Sequence, residues 1–229
     1  MSDNIFPTIL VAATRVLDEA GVPAPTSGVG TSTRNGRAAV NAMNDALEDI
    51  YTRWEWAWLR VTQIENLVYG QADYPVPDLF SRLDGYLKVG DQRFIEKTPY
   101  EFERDIVQSP TLTNLYGVYG FFTVLDHTIR LSFIPNDAQV AATPTFRYTY
   151  VKGVPNRMMA DTDRLDLPRS FYRAVVLYAR SKIKQLLEYP DYASDMQEYE
   201  KTIMDLLRVG RKGFRQPVIR GPFSMGRGR

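Results

Sequence analysis

The residues of this sequence with the clearest chemical potential are the cations at its C-terminal end. The chain of 229 residues has 28 Lys and Arg against 27 Asp and Glu, but its last 24 residues hold seven of the cations and no acid. The first 205 residues therefore carry a net charge of −6. Nucleic acid would explain the charges alone, whereas a protein groove explains both the cations and the apolar residues that alternate with them. The residues predicted to dock on such a protein groove are Arg211, Lys212, Phe214, Arg215, Val218, Ile219, Arg220 and Phe223.

A second group of cations lies on one broad face of a predicted helix. Its members are Arg169, Arg173, Arg180 and Lys184. Two interpretations stay open. The face is either solvated, with acids of a neighbouring element as partners, or it meets another subunit or DNA.

Catalytic and redox chemistry have little support. The chain has no cysteine, which excludes thiol nucleophiles, iron–sulfur clusters and zinc–cysteine sites. Its single histidine, His127, falls in a predicted turn and supports neither a multi-histidine metal site nor an ordinary serine triad. The acids are scattered, so no pair is favoured for glycoside hydrolysis. We predict no catalytic residue, no metal site, no cofactor and no enzymatic activity.

A glycine-rich loop at residues 28–37 invites comparison with phosphate-binding loops. Five residues separate Gly30 from Gly36, where a P-loop has four, and no Lys-Ser or Lys-Thr pair follows. We interpret the loop as a connector in which Ser32 or Thr33 caps the next helix.

Three carboxylates at Asp161, Asp163 and Asp166 suggest calcium, but the glycine and the terminal glutamate of a calcium loop are missing. Asp166 is expected at a helix start instead.

Phe146, Tyr148 and Tyr150 alternate on one strand face, which is typical of core or interface packing and less so of base stacking.

The elements that position these residues follow from hydrophobic periodicity. Repeats of three and four residues predict two helices in residues 1–58 and two more in residues 166–208. Between them, residues 59–165 change to a period of two, with turns at Gly90-Asp91 and Asp126-His127. Within this insert, Thr98-Pro99-Tyr100-Glu101 predicts a capping box at the start of a short helix.

The predicted fold class is α+β, a four-helix bundle with an antiparallel β insert between helices 2 and 3. Residues 209–229, rich in glycine and proline, are predicted to form an extended basic tail. No window approaches the about 18–20 apolar residues of a membrane span, so no membrane partner is expected.

Four motifs in order resemble a known family. They are Trp54-Glu-Trp56-Ala-Trp58, Tyr74-Pro75-Val76-Pro77-Asp78, the paired strands from Tyr119 to Pro135 followed by Phe146-Arg-Tyr148-Thr-Tyr150, and Leu167-Pro168 opening a helical hairpin. Together they cover residues 5 to about 207 and resemble the head-to-tail adaptor proteins of short-tailed phages, the tail tubular protein A or head-completion group. Val76 stands where that family usually has leucine.

The resemblance implies a structural virion protein at the head-tail junction, made in the host cytoplasm. It implies a ring, typically of twelve subunits, that joins the portal protein to the tail nozzle protein and continues the DNA channel for genome retention and ejection. The C-terminal tail would dock on the portal, and Arg169, Arg173, Arg180 and Lys184 would face the channel or a neighbouring subunit, with non-specific contact to genomic DNA. Two other classes remain open: a nucleic-acid-binding protein that uses the basic tail, and a phage wall-degrading hydrolase.

Overall fold

The computed structural model describes residues 7–24, 33–107 and 120–213. The chain divides into two compact units. The first, here called the helical unit, comprises Met1–Ile50 and Arg157–Arg229, and the second, the sheet unit, comprises Tyr51–Asn156.

The described residues form six helices. They are α1 (Ile9–Glu19), α2 (Arg34–Arg53), α3 (Pro99–Phe102), α4 (Asp137–Ala142), α5 (Tyr172–Leu186) and α6 (Tyr192–Gly213). Short 3-10 turns follow α2 at Ala57–Leu59 and precede α5 at Arg169–Phe171. Pro168 occupies the N-cap of the second turn, so this turn begins at Arg169, three residues after Asp166.

The apolar stripes of α1, α5 and α6 build the core of the helical unit. α1 buries Ile9, Val16 and Leu17, and it packs on α5. α5 in turn packs along α6, where the rings of Tyr178 and Tyr199 meet edge to face with centroids 5.2 Å apart.

α2 is fixed at its N-terminus and again within the helix, at Asn44. Thr33 Oγ1 accepts a hydrogen bond from the Gly36 N–H at 3.0 Å, which confirms Thr33 as a cap, while Ser32 lies outside the described residues. Farther along, the buried amide of Asn44 bonds both the carbonyl and the N–H of Met158 at 3.0 Å. These two hydrogen bonds join α2 to the segment with which the chain re-enters the helical unit after the sheet unit.

Within its described residues, the sheet unit contains eight strands. They are β1 (Arg60–Asn66), β2 (Asp73–Pro75), β3 (Phe80–Leu83), β4 (Leu87–Val89), β5 (Gln92–Glu96), β6 (Gly120–Leu125), β7 (Thr128–Leu131) and β8 (Thr145–Lys152). Their order in the sheet is β1-β8-β4-β5-β6-β7-β2, with β3 also paired to β8. β5 and β6 are parallel, and the other pairs are antiparallel. The sheet curls like a half-barrel.

One face of the curled sheet carries an aromatic core. Phe146, Tyr148 and Tyr150 alternate along β8 and are 5% exposed or less, so they pack as predicted rather than offering rings to bases. On β6, Gly120 is required by close contact, because a Cβ there would lie 2.5 Å from the ring of Phe94.

Local signals in the sheet unit are confirmed. The Gly90-Asp91 turn joins β4 to β5, and the Asp126-His127 turn joins β6 to β7 with φ of 48° and 57°. Both bonds of the capping box at Thr98 and Glu101 are present. A π-helical stretch, Glu103–Val107, directly follows α3.

The predicted fold class is wrong in its architecture. The chain has six helices and an eight-stranded mixed sheet within its described residues, not a four-helix bundle with a purely antiparallel insert. The strand β2 has three residues, too few to show a period of two. α6 also runs through Gly213, so helix continues beyond the predicted boundary at residue 208.

Candidate functional site

Three of the four cations on the predicted helix face form ion pairs inside the helical unit. Arg180 is central. Its Nη1 donates to Oε2 of Glu19 at 3.0 Å, its Nε donates to Oδ2 of Asp195 at 2.9 Å, and its Nη2 contacts Asp195 Oδ1. This two-pronged contact matches the planar guanidinium to a carboxylate. Asp195 is only 6% exposed, so the pair is largely removed from water.

Arg173 and Lys184 continue the same network, since positions seven before and four after Arg180 share its helix face. Arg173 lies 3.1 Å from both Glu19 and Glu198. Lys184 Nζ lies 3.1 Å from Asp195 and also contacts Asp191. These pairs, here called the charge network, join α5 to α1 on one side and to α6 on the other.

The network shifts the protonation equilibria of its members. Burial alone would raise the pKa of Glu19, but the hydrogen bond from Arg15 and the charges of Arg173 and Arg180 outweigh it and hold that pKa below its usual value. Burial would lower the pKa of Arg180, and the bonds to Asp195 outweigh it and raise that pKa. Each group is thus stabilised in its charged form.

Arg169 lies outside the network. It is exposed in the 3-10 turn before α5 and has no ion-pair partner among the described residues. The structure therefore brings together Arg173, Arg180 and Lys184 as partners of acids. Whether the four residues face a channel or a subunit stays a prediction.

The predicted docking residues lie at and beyond the end of α6. The backbone of Arg211 and Lys212 is part of the last turn of that helix. The other six, Phe214, Arg215, Val218, Ile219, Arg220 and Phe223, lie outside the described residues.

A cleft of about 260 Å³ opens in the sheet unit between α3 and the strands β6 and β7. Arg130 donates to both carboxylate oxygens of Asp73 at its edge, at 2.6 and 3.1 Å. The floor includes the buried hydroxyl of Thr123, which has no hydrogen-bond partner among the described residues. The other hydroxyl that lines the cleft, of Thr128, donates to the backbone carbonyl of Asp126 at 3.4 Å, so neither hydroxyl is hydrogen-bonded to a carboxylate among the described residues.

The other motifs have structural roles. Asp163 Oδ2 accepts the N–H groups of Met159 and Ala160, and these two bonds lower its pKa. His127 is exposed in its turn.

Within the described ranges, no group of three or more His, Asp or Glu could hold a metal ion. No helix in those ranges is long and apolar enough to cross a membrane.

Sequence reasoning missed a second set of cations, Lys88, Arg93 and Arg147. Strand pairing places them side by side on the sheet. One signal was present, because Arg147 alternates with the core residues Phe146 and Tyr148. Hydrophobic periodicity along single strands does not predict which three strands pair with one another.

Comparison with known proteins adds one finding. A model of the family described as SU10 adaptor protein matches residues 8–221, nearly the whole chain and both units. No curated protein matches the chain.

Proposed function

The chain belongs to the SU10 adaptor protein family, a family of phage head-to-tail adaptors, and from this premise we propose how it works in the virion. Its subunits form a ring, with twelve as the expected number, between the portal protein and the tail nozzle protein. The ring continues the DNA channel, so that the genome is retained after packaging and passes through on ejection.

The observation that carries this proposal is the family match over residues 8–221, which includes the full helical hairpin and extends into the basic segment. The family places the protein among structural components of the virion. The finer assignment of partners rests on the chemistry of the chain itself.

We assign portal docking to the C-terminal tail. The seven cations after Asp205 have no acid among them, and the apolar residues from Phe214 to Phe223 are spaced between them. A segment of this kind gains affinity from both charge and apolar anchors when it orders on a groove. A ring of identical tails then multiplies a weak contact through avidity.

The helix face that includes Arg169 is proposed to meet a neighbouring subunit or the channel. Three of its cations already have acid partners, so Arg169, at the exposed start of the face, is the residue expected to contact a phosphate or a neighbour.

The test is electron microscopy of the protein mixed with the portal ring of its own phage. Deleting residues 214–229 leaves the whole of α6, which ends at Gly213, and should remove the added ring density without unfolding the helical unit. Ring density that persists after the deletion would disprove the docking assignment, and no density with the intact chain would disprove the adaptor ring.

Two matched variants separate charge from apolar anchoring. In one, Arg215, Arg220, Arg227 and Arg229 become Gln; in the other, Phe214, Val218, Ile219 and Phe223 become Ser. We expect the first to weaken attachment most at low salt, because salt screens the charges, and the second to weaken it equally at all salt concentrations.

A further inference from the structure

Three cations lie side by side on the outer face of the sheet unit. Pairing sets Arg147 of β8 opposite Lys88 of β4, and Lys88 opposite Arg93 of β5. The residues that flank them along the strands are buried in the core: Phe146, Tyr148, Leu87, Val89 and Phe94. Because side chains alternate between faces, the three cations point away from the core. Strands lie about 4.8 Å apart, so this cation row spans about 10 Å.

The cation row is not neutralised by any acid among the residues that the structure describes. None of its three members has an ion-pair partner among the described residues. Like charges directly opposite each other in a sheet are destabilising, and here two such pairs are adjacent. The fold therefore keeps an unfavourable arrangement that an incoming anion would relieve.

The surroundings of the row suit phosphate groups. The Arg93 guanidinium lies 4.3 Å from the ring centroid of Tyr86, and Lys88 Nζ lies 5.6 Å from it, so the ring holds both cations in place. Thr145 and Thr149 flank Arg147 on the same face of β8, and Thr149 Oγ1 lies 3.1 Å from Thr62 Oγ1. Hydroxyl and guanidinium donors are typical ligands of phosphate oxygens.

From this arrangement we infer that the outer face of β8, β4 and β5 binds the phosphate backbone of duplex DNA without reading its sequence. A protein interface has an apolar centre and a polar rim. The centre of this face is charged, and the exposed Tyr86 ring there lies against Lys88 and Arg93. Its exposed aliphatic residues, Ile64 and Ile95, lie at the margins. The inference rests on the proposed function only for the identity of the duplex as the phage genome, and the surface differs from the helix face that includes Arg169.

The test measures binding of the full-length protein to a fluorescent duplex of about 30 base pairs at several salt concentrations. In one variant Lys88, Arg93 and Arg147 become Gln. Each lost phosphate contact lowers the slope of log K against log salt by about 0.9, so we expect the slope to fall by about two to three and the affinity at low salt to fall about tenfold or more. Lys88→Arg alone should retain binding, because it keeps the charge.

A control with the same change in net charge replaces three exposed cations of the helical unit, Arg37, Arg157 and Lys201, by Gln. We expect this control to bind duplex DNA nearly as the natural chain does. Equal weakening by both triple variants would show a net-charge effect and overturn the inference. Unchanged binding by the row variant, with all binding lost on deletion of residues 214–229, would overturn it in favour of the tail.

Portal attachment provides the second readout. The row variant should still add ring density under the portal, and its folded state should be at least as stable as the natural one because the like-charge pairs are gone. Loss of attachment to the portal or tail protein with intact DNA binding would show that the face is a protein interface and overturn the inference. If the natural chain does not attach to the portal, that result contradicts the adaptor proposal and leaves the inference about the cation row unaffected.

Discussion

In the helical unit, Arg173, Arg180 and Lys184 each lie within reach of an acid, whereas in the sheet unit Lys88 and Arg93 pair with no described acid. The first set holds helices together. The second is left available to a partner, while its unit is held by aromatic packing. The two surfaces thus have similar numbers of cations but different roles. The difference is whether the described residues include acids that form ion pairs with those cations.

The largest expected effect comes from breaking the charge network at its centre. Arg180→Met leaves Asp195, 6% exposed, without its guanidinium partner. We expect unfolding of the helical unit to become easier by about 3 kcal/mol, toward the lower end of what removing one member of a buried ion pair costs.

All three tryptophans, at residues 54, 56 and 58, belong to the sheet unit, so circular dichroism and tryptophan fluorescence report different units in a urea titration. The Arg180 variant should shift the dichroism transition. Arg93→Met is the matched control, and its effect should stay within about 1 kcal/mol, because the exposed side chain has no ion-pair partner among the described residues and its contact with the exposed Tyr86 ring is worth about 0.5–1 kcal/mol. Equal losses in the two variants would remove the contrast between the units.

The sheet unit should be most sensitive to packing instead. Gly120→Ala would place a Cβ 2.5 Å from the ring of Phe94, and overpacking of a tight core costs about 1–3 kcal/mol. The tryptophan fluorescence midpoint should fall accordingly. Gly153→Ala, whose Cβ would meet its nearest atom at 3.6 Å, is the control and should change the midpoint little.

Acid should destabilise the helical unit through Glu19. The folded-state pKa of Glu19 lies below its usual value near 4.5, so its contribution to stability is complete above that value and is lost as pH falls through the lower folded pKa. Urea titrations from about pH 6 to about pH 3 should show this loss in the dichroism signal. Glu19→Gln should show a shallower pH dependence, and an identical slope would exclude Glu19 as a source.

Local signals predicted much of the fold. The capping box at Thr98, the turn at Asp126-His127 and the apolar stripes of α1, α5 and α6 depend on residues a few positions apart, which a sequence displays directly. The same kind of signal was present for α4, where Asn136 and Gln139 form a capping box, but a helix of six residues is too short to show a period.

What the sequence did not display was long-range pairing. Arg60 pairs with Val151, and the parallel pair of β5 and β6 requires a crossover that no periodicity marks. The candidate sites also depend on contacts between residues far apart in the sequence. The shared face of Arg173, Arg180 and Lys184 was predicted, but Arg180 meets Glu19 across 161 positions, and the cation row exists only after three strands have paired.

The helical unit is discontinuous in the chain, and this affects the order of events during synthesis. α1 and most of α2 leave the ribosome first, but the helices that complete their unit come only after the whole of Tyr51–Asn156. The sheet unit is therefore the first that can fold as the chain emerges. Until Tyr172–Leu186 follows, the apolar stripe of Ile9, Val16 and Leu17 lacks the helix on which it packs in the folded unit, so the nascent chain carries apolar surface that is exposed to aggregation at that stage.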